Sequence, residues 1–267
     1  MNSVGGIREY MSLDMFSLRN KVAIVTGGTR GIGRAISLAL GSAGARVVVT
    51  SRTLADAERV AGEIGTGGGG SLGISTDVGD PSDVTRLVAT TADRFGTVDV
   101  LVNCAGISPY LKSAEKMTVE EWNEVLRTNL TGIFLCSTEV ARLMISQKRG
   151  GSIVNISSVG GTVALPRLVA YCAAKHGIFG ITKVMAVDWV RYGIRVNAIG
   201  PAYVETDMTL AIRESAPRIY EDLIRKTPMA RFAKPQEIAG AVIYLASEAS
   251  SYVTGQTIFV DGGWLTL

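Results

Sequence analysis

One histidine and three cysteines are all that this chain of 267 residues has of the usual metal-binding and disulfide-forming types. A Ser-His-Asp hydrolase or a histidine-ligated metal enzyme would have to be built around His176 alone, so neither is expected. Cys104, Cys136 and Cys172 lie far apart and show no ligand spacing; the sequence predicts no metal site and no disulfide framework. Such sparse cysteine fits a reducing, cytoplasmic setting. Charge of one sign is also scarce. Twenty-seven basic residues against 24 acidic ones leave +3, which makes no case for a nucleic-acid or membrane partner. Apolar runs such as Val22–Val25 and Ala45–Val49 fall far short of the ~20 residues of a spanning helix. Arg8, Glu9 and Asp14 interrupt the N-terminal stretch, which is therefore a poor signal peptide. Residues 1–17 read as a flexible N-terminal extension and residues 18–267 as a single domain. Disorder is excluded, because 47% of the residues are hydrophobic and only 19% charged.

Short Val- and Ile-rich runs alternate with longer stretches of helical period. Val22–Val25, Arg46–Thr50, Leu72–Ile74, Val98–Val102, Ser152–Ile156, Arg195–Ile199 and Ile258–Val260 read as strands. Helices are predicted over Ile32–Ala43, Leu54–Ile64, Val119–Gln147, Tyr171–Val190 and Gln236–Ser247, with another opening at Pro81 behind Asp80 as its cap. The glycine-rich stretch Gly65–Gly70 reads as a flexible surface link. Strands apolar along their whole length imply a sheet covered on both faces, and strand–helix alternation implies parallel pairing through right-handed crossovers. The expected fold class is α/β, a doubly wound, parallel sheet of about seven strands with helices on both faces.

Between the first strand and the first helix stands Thr26-Gly27-Gly28-Thr29-Arg30-Gly31-Ile32-Gly33. Glycines there permit a tight turn and let a pyrophosphate approach the helix N-terminus, where free N–H groups and the dipole favour an anion. Three more motifs follow in order: Asn103-Cys104-Ala105-Gly106; Ser158 with Tyr171-Cys172-Ala173-Ala174-Lys175; and Gly200-Pro201-Ala202-Tyr203-Val204-Glu205-Thr206. Together they make the chain, from about Phe16 to its end, resemble the short-chain dehydrogenase/reductase family. It departs from the family pattern at Cys104, usually Asn, and at Ala202, usually Gly.

The resemblance implies a Rossmann fold binding a nicotinamide dinucleotide. Gly27, Thr29, Arg30, Gly31, Ile32 and Gly33 would take the pyrophosphate side. Asp77 and Val78 would meet the adenine. Asn103, Ala105 and Gly106 would line the adenosine ribose side, and Pro201, Val204 and Thr206 would hold the nicotinamide carboxamide. NAD-preferring relatives carry an acid at the end of the second strand. Here that position is Ser51, followed by Arg52, a pair that would attract a 2′-phosphate where a carboxylate repels it. With Arg30 as a second cation, NADP(H) is the expected cofactor and NAD(H) the alternative.

Tyr171 and Lys175 are four apart, on one face of a predicted helix. A tyrosine needs its pKa of ~10 lowered by ~2–3 units to act as a base near neutrality. An ammonium ~5 Å away supplies ~3 kcal/mol at an effective dielectric of ~20, so the pair is energetically adequate. The resemblance implies the remaining roles. Ser158 would hydrogen-bond the substrate oxygen, Lys175 and Tyr171 would also contact the cofactor, and Asn129 would hold a water in a proton relay from Lys175. His176, a neighbour of these groups, reads as a packing or surface histidine, and Cys172 as a small helix-packing residue.

Expected, then, is hydride transfer between a secondary alcohol and a ketone with Tyr171 as acid/base. Thr206–Phe232, with Met208, Leu210, Ile212, Arg213, Arg218, Ile219 and Tyr220, would cover the substrate; Ile107–Lys112 and Gly160–Arg167 would form the facing wall. The texture resembles the gluconate and glucose dehydrogenase branch, and Lys112, Arg167 and Arg213 could meet a carboxylate, so the leading substrate is a sugar, polyol, sugar acid or small ketone. The alternative is a 3-oxoacyl-[acyl-carrier-protein] reductase. Arginines that dock the carrier in such enzymes are matched here by Leu135 and Tyr192, with Arg191 adjacent. A non-catalytic dinucleotide-binding protein is the third reading. Surplus apolar residues on the two long helices, Trp189 among them, and the apolar tail Gly255–Leu267 predict a homotetramer built from dimers.

Overall fold

A computed structural model describes residues 13–65 and 70–266. Seven parallel strands form one sheet: β1 (Val22–Thr26), β2 (Arg46–Ser51), β3 (Ser71–Ser75), β4 (Val100–Asn103), β5 (Gly151–Ile156), β6 (Ile194–Pro201) and β7 (Thr257–Val260). Their spatial order is β3-β2-β1-β4-β5-β6-β7. Because β1 leads outward to β2 on one side and has β4 on the other, a crevice opens beyond the carboxyl ends of β1 and β4, the topological switch point. Thr26 pairs with Thr50 and with Asn103 there, so the three strand ends are level.

Nine helices among the described residues connect the strands: α1 (Gly31–Ser42), α2 (Leu54–Gly65), α3 (Pro81–Phe95), α4 (Val119–Leu126), α5 (Gly132–Gln147), α6 (Val169–Trp189), α7 (Asp207–Ser215), α8 (Pro217–Arg225) and α9 (Pro235–Ala246). Alternate residues along each strand feed opposite faces. Ala23, Val25, Val47, Val49, Val102 and Val154 pack under α1, α2 and α9. Ile24, Val48, Leu101, Ile153 and Val196 pack under α3, α5 and α6. Burial on both sides removes any reason for polar alternation, which explains why the strands read as unbroken apolar runs. The expected doubly wound, single-domain sheet of seven strands is therefore the observed one.

Helix ends follow local chemistry. The Asp80 side chain accepts from the Ser82 and Asp83 N–H groups at the start of α3, as its sequence predicts. Thr118 and Glu121 form a capping box on α4. One element differs from expectation. Val119–Gln147 is not one helix: a π turn over Arg127–Thr131 separates α4 from α5. Within the 1–17 extension, Leu13–Phe16 form a 3-10 turn, and Leu18 just after it is fully buried; the first twelve residues lie outside the described residues. Of the predicted link Gly65–Gly70, residues 66–69 lie outside the described residues. Tail residue Leu267 also lies outside them. Trp264 in that tail packs against Tyr203 of its own chain, ring centroids 6.1 Å apart.

Candidate functional site

The carboxyl ends of the strands carry every predicted motif. The glycine turn leaves β1, and the Gly28 N–H donates to the Thr50 carbonyl 3.0 Å away, tying it to the end of β2. Gly27 has φ +65, and a Cβ on it would stand 2.8 Å from the Ala105 Cα. A Cβ on Gly33 would sit 2.0 Å from the Gly27 carbonyl oxygen. The first helical turn thus closes directly onto the strand end. α1 begins without a side-chain cap and with no acid in its first turn; its cap residue, Arg30, is exposed. Those are the properties of a helix start that can hold an anion. A Cβ on Gly31 would lie 3.1 Å from the Thr206 methyl carbon, so the last motif folds back onto the first.

Thr26, which the sequence reading did not single out, links the second motif to β1. Its hydroxyl accepts from the Cys104 and Ala105 N–H groups at 3.1 and 3.2 Å. The Asn103 side chain turns inward, donating to Ser137 Oγ at 2.9 Å and to Asn155 Oδ1 at 2.8 Å. Asn155 in turn donates to Thr182. Among the predicted cofactor residues, Asn103 therefore serves a buried polar network, and its Oδ1 has no partner among the described residues. Such an inward use of a motif asparagine leaves no mark in linear spacing.

At the far side of the crevice, Ser51 Oγ bonds the backbone of Thr53, and Arg52 projects into solvent. Asp77 is engaged by protein donors: Oδ1 accepts from Gly79 N at 2.9 Å and Oδ2 from Arg127 Nη2 at 2.7 Å. Val78 is buried against Gly132. Pro201 ends β6, and Val204, also buried, bridges to Ala233.

The four proposed reacting side chains come together beyond β5. Ser157 and Ser158 divide their labour. Ser157 Oγ donates to the Lys175 carbonyl at 2.9 Å and fixes α6 against the sheet. Ser158 Oγ accepts from Gly160 N at 3.0 Å and hydrogen-bonds the Tyr171 phenol. Lys175 reaches back under the ring, its Nζ 5.6 Å from the Tyr171 centroid, and donates to the Ile156 carbonyl at 2.8 Å. Asn129 sits inside the π turn, fully buried. Its Oδ1 accepts from the Ile107 N–H and its Nδ2 donates to the Ile107 carbonyl, both at 2.7 Å. A Cβ on Gly106 would stand 3.4 Å from Asn129 Oδ1 and 4.0 Å from Lys175 Nζ, so these three residues share one corner.

The electrostatics differ from the sequence expectation. Burial pushes the Tyr171 phenol above its ordinary value, against a lowering by the Ser158 hydrogen bond. The same burial pushes Lys175 down to about 8. In the cleft as the chain alone forms it, desolvation outweighs the help an ammonium gives its neighbour. Spacing along a helix reports proximity but not the water lost. His176 is exposed, with Nδ1 donating to the Cys172 carbonyl at 2.9 Å.

The facing wall is made of two loops held together. Lys112 N donates to the Arg167 carbonyl at 2.9 Å, a bridge pairs Lys112 with Leu168, and Arg167 Nη2 donates to the Leu111 carbonyl at 3.0 Å. Lys112 Nζ is ion-paired with Glu121, so two of the three cations expected to meet a carboxylate are already engaged by the protein. Arg213 lies exposed on α7.

Comparison with known proteins places this arrangement in context. A family model described as enoyl-(acyl carrier protein) reductase matches residues 27–265. A 3-oxoacyl-[acyl-carrier-protein] reductase from Synechocystis sp. is 42% identical over 93% of this chain and 98% of its own length. A D-threitol dehydrogenase from Mycolicibacterium smegmatis is 40% identical over 95% of this chain and 96% of its own. Among solved structures, a gluconate 5-dehydrogenase from Burkholderia cenocepacia in complex with NADP and tartrate superposes with a TM-score of 0.90 at 36% identity, covering 96% of this chain and 99% of the other.

Proposed function

Because the chain belongs to the short-chain dehydrogenase/reductase family, an oxidoreductase family, we propose that it interconverts a secondary alcohol and a ketone using NADP(H), with Tyr171 as the acid/base. One observation carries the reading: Ser158 and Lys175 converge on a desolvated Tyr171 beside Gly160. When bound, the dinucleotide gives or takes a hydride at the substrate carbon. Gly27, Thr29, Arg30, Gly31, Ile32 and Gly33 would hold its pyrophosphate against the uncapped start of α1, a turn kept tight because Gly33 packs on the Gly27 carbonyl with no room for a Cβ. Ser51 and Arg52 would take the 2′-phosphate. Asp77 and Val78 would flank the adenine, Asn103, Ala105 and Gly106 the ribose, and Pro201, Val204 and Thr206 the nicotinamide end. Exposed Arg30 and Arg52, with no carboxylate closing β2, favour NADP(H) over NAD(H). The NADP named with the Burkholderia structure points the same way.

The proton path follows from the hydrogen bonds. The Gly160 N–H fixes the Ser158 oxygen and leaves the Ser158 proton to donate towards the substrate oxygen or the phenol. In reduction the Tyr171 O–H gives its proton to the developing alkoxide; in oxidation the phenolic oxygen takes the hydroxyl proton. Lys175 supplies a cation under the ring and a donor to the cofactor. Asn129 holds the Ile107 backbone that roofs this corner, and a relay water there would connect Lys175 to solvent.

A polyol, sugar, sugar acid or small ketone is the leading substrate, supported by the threitol and gluconate dehydrogenase relatives. The cyanobacterial reductase, at 42% identity, favours a second reading, a 3-oxoacyl thioester on a carrier protein. Three free thiols fit a cytoplasmic setting, and among the described residues no helix is long and apolar enough to cross a membrane. The test is oxidation or formation of NADPH with polyols, sugar acids, β-keto esters and acyl thioesters, repeated with NADH. A substrate that turns over faster with NADPH, and at least ~100-fold lower kcat in Tyr171→Phe, is the expected result. Near-wild-type turnover in that variant would remove Tyr171 from the mechanism.

A further inference from the structure

The loop Asp77-Val78-Gly79 is clamped to the π turn at two points. Where the turn runs into α5, a Cβ on Gly132 would stand 2.7 Å from the Val78 Cγ2 and 3.1 Å from its carbonyl oxygen, so the loop lies directly on the helix. Where the turn begins, the Arg127 side chain lies across Gly79: a Cβ there would be 2.8 Å from the Arg127 Cγ and 2.9 Å from its Cζ. The guanidinium ends on Asp77, Nη2 donating to Oδ2 at 2.7 Å, while the Gly79 N–H donates to Oδ1 at 2.9 Å. Each carboxylate oxygen thus has one protein donor and keeps a lone pair for another. The loop does not need Arg127 to keep its place. The Asp77 N–H donates to Asp83 Oδ2 at 2.8 Å, the Asp80 N–H donates to the Asp77 carbonyl at 3.0 Å, and Val78 is buried. Nor is the pair a large source of stability, since its side chains are 49% and 35% exposed and an open ion pair adds little to folding. What Arg127 fixes is the direction of a carboxylate at the far side of the crevice.

We infer that Arg127 is a positioning residue for base recognition: it holds the Asp77 carboxylate so that its free lone pairs meet the exocyclic amino group of an adenine, and the protein thereby distinguishes an amino-bearing purine from one with a carbonyl at that place. This inference rests on the proposed dinucleotide site and goes beyond it, because it assigns the selectivity to a side chain acting through Asp77. An amino group donates to a carboxylate; a purine carbonyl presents it with a second acceptor, and the two repel. That discrimination lasts only while the carboxylate is kept from turning aside. A free carboxylate would rotate away from the carbonyl at small cost, whereas one held at both oxygens is preorganised against it. Arg127 also opens the turn that carries Asn129, whose amide holds the Ile107 backbone. A substitution that merely loosened this turn would weaken both purine nucleotides alike, and that separates a structural role from a positioning one.

The experiment measures Kd, by quenching of protein fluorescence, for NADPH and for its hypoxanthine analogue, in which an oxygen replaces the adenine amino group. Both nucleotides are read on one preparation, so the ratio of their Kd values is independent of the folded fraction. Wild type should bind NADPH about tenfold more tightly than the analogue, and Arg127→Met should cut that preference to about threefold or less. Asp77→Ala should abolish it, and adding Arg127→Met to Asp77→Ala should leave the ratio where it stands, because Arg127 acts through that carboxylate. No preference in wild type overturns the inference. So does equal weakening of both nucleotides in Arg127→Met, the mark of a loosened turn, and so does a ratio that Arg127→Met still changes in the Asp77→Ala background. Failure of the underlying reading looks different: wild type would then bind neither nucleotide, and the inference would fall with it.

Discussion

A lysine whose ammonium is held by a single backbone carbonyl, in a cleft stripped of water, releases its proton readily. Lys175 is such a residue, with its pKa down at about 8 instead of 10.5. The sign of the consequence can be worked out. In the free protein Lys175 is charged below pH 8 and neutral above it. A bound dinucleotide, being anionic, favours the charged form, so above pH 8 binding must take up a proton. The Kd for NADPH should therefore rise with pH beyond that point, by up to about tenfold per unit, whereas Lys175→Met should show no such slope. Quenching of protein fluorescence on titration with NADPH would read both. The same shift makes the lysine a destabilising group below pH 8, and that penalty fades as pH climbs through 8 towards 10.5. Ser158 and Tyr171 were legible as a pair because the motif names them. The direction of the phenol's shift was not, since it depends on burial in the folded cleft, which spacing along a helix does not report.

At the level of elements, the π turn is the feature the sequence hid. Val119–Gln147 carries helical periodicity throughout, and one extra residue in a turn leaves that period almost untouched. Only the helix-poor run Thr128-Asn129-Leu130-Thr131-Gly132 hints at a break. What holds the turn is long-range: the Asn129 amide pairs with both backbone groups of Ile107, and the Arg127 guanidinium pairs with Asp77. Asn129→Ala would leave the Ile107 N–H and C=O without those partners. We expect a loss of about 1–3 kcal/mol, roughly 2–12 °C in Tm by calorimetry. The strands, by contrast, were readable almost residue by residue, because burial on both faces writes itself into composition. The inward turn of Asn103 was unreadable for the opposite reason: its partners Ser137 and Asn155 come from elements that meet only in the folded sheet.

For the molecule as a whole, the two long helices leave apolar residues uncovered. On α6 and the turn after it, Val184 is 61% exposed, Val187 75% and Val190 52%, and Phe134 on α5 is 49% exposed. These positions suit the homotetramer proposed from the sequence. Light scattering at micromolar concentration should give four subunits, and Val187→Asp should lower that mass; a monomer in wild type would refute the assembly. The doubly wound order was predictable because strand–helix alternation admits few topologies. The wall facing the catalytic groups was not, since its two loops lie more than fifty residues apart along the chain and are joined by the Lys112–Leu168 bridge and the Arg167–Leu111 contact. That join has a practical meaning for anyone re-targeting the scaffold. The two loops behave as one cassette, and grafting either alone from a donor enzyme would sever its seam with the other; libraries should exchange them together.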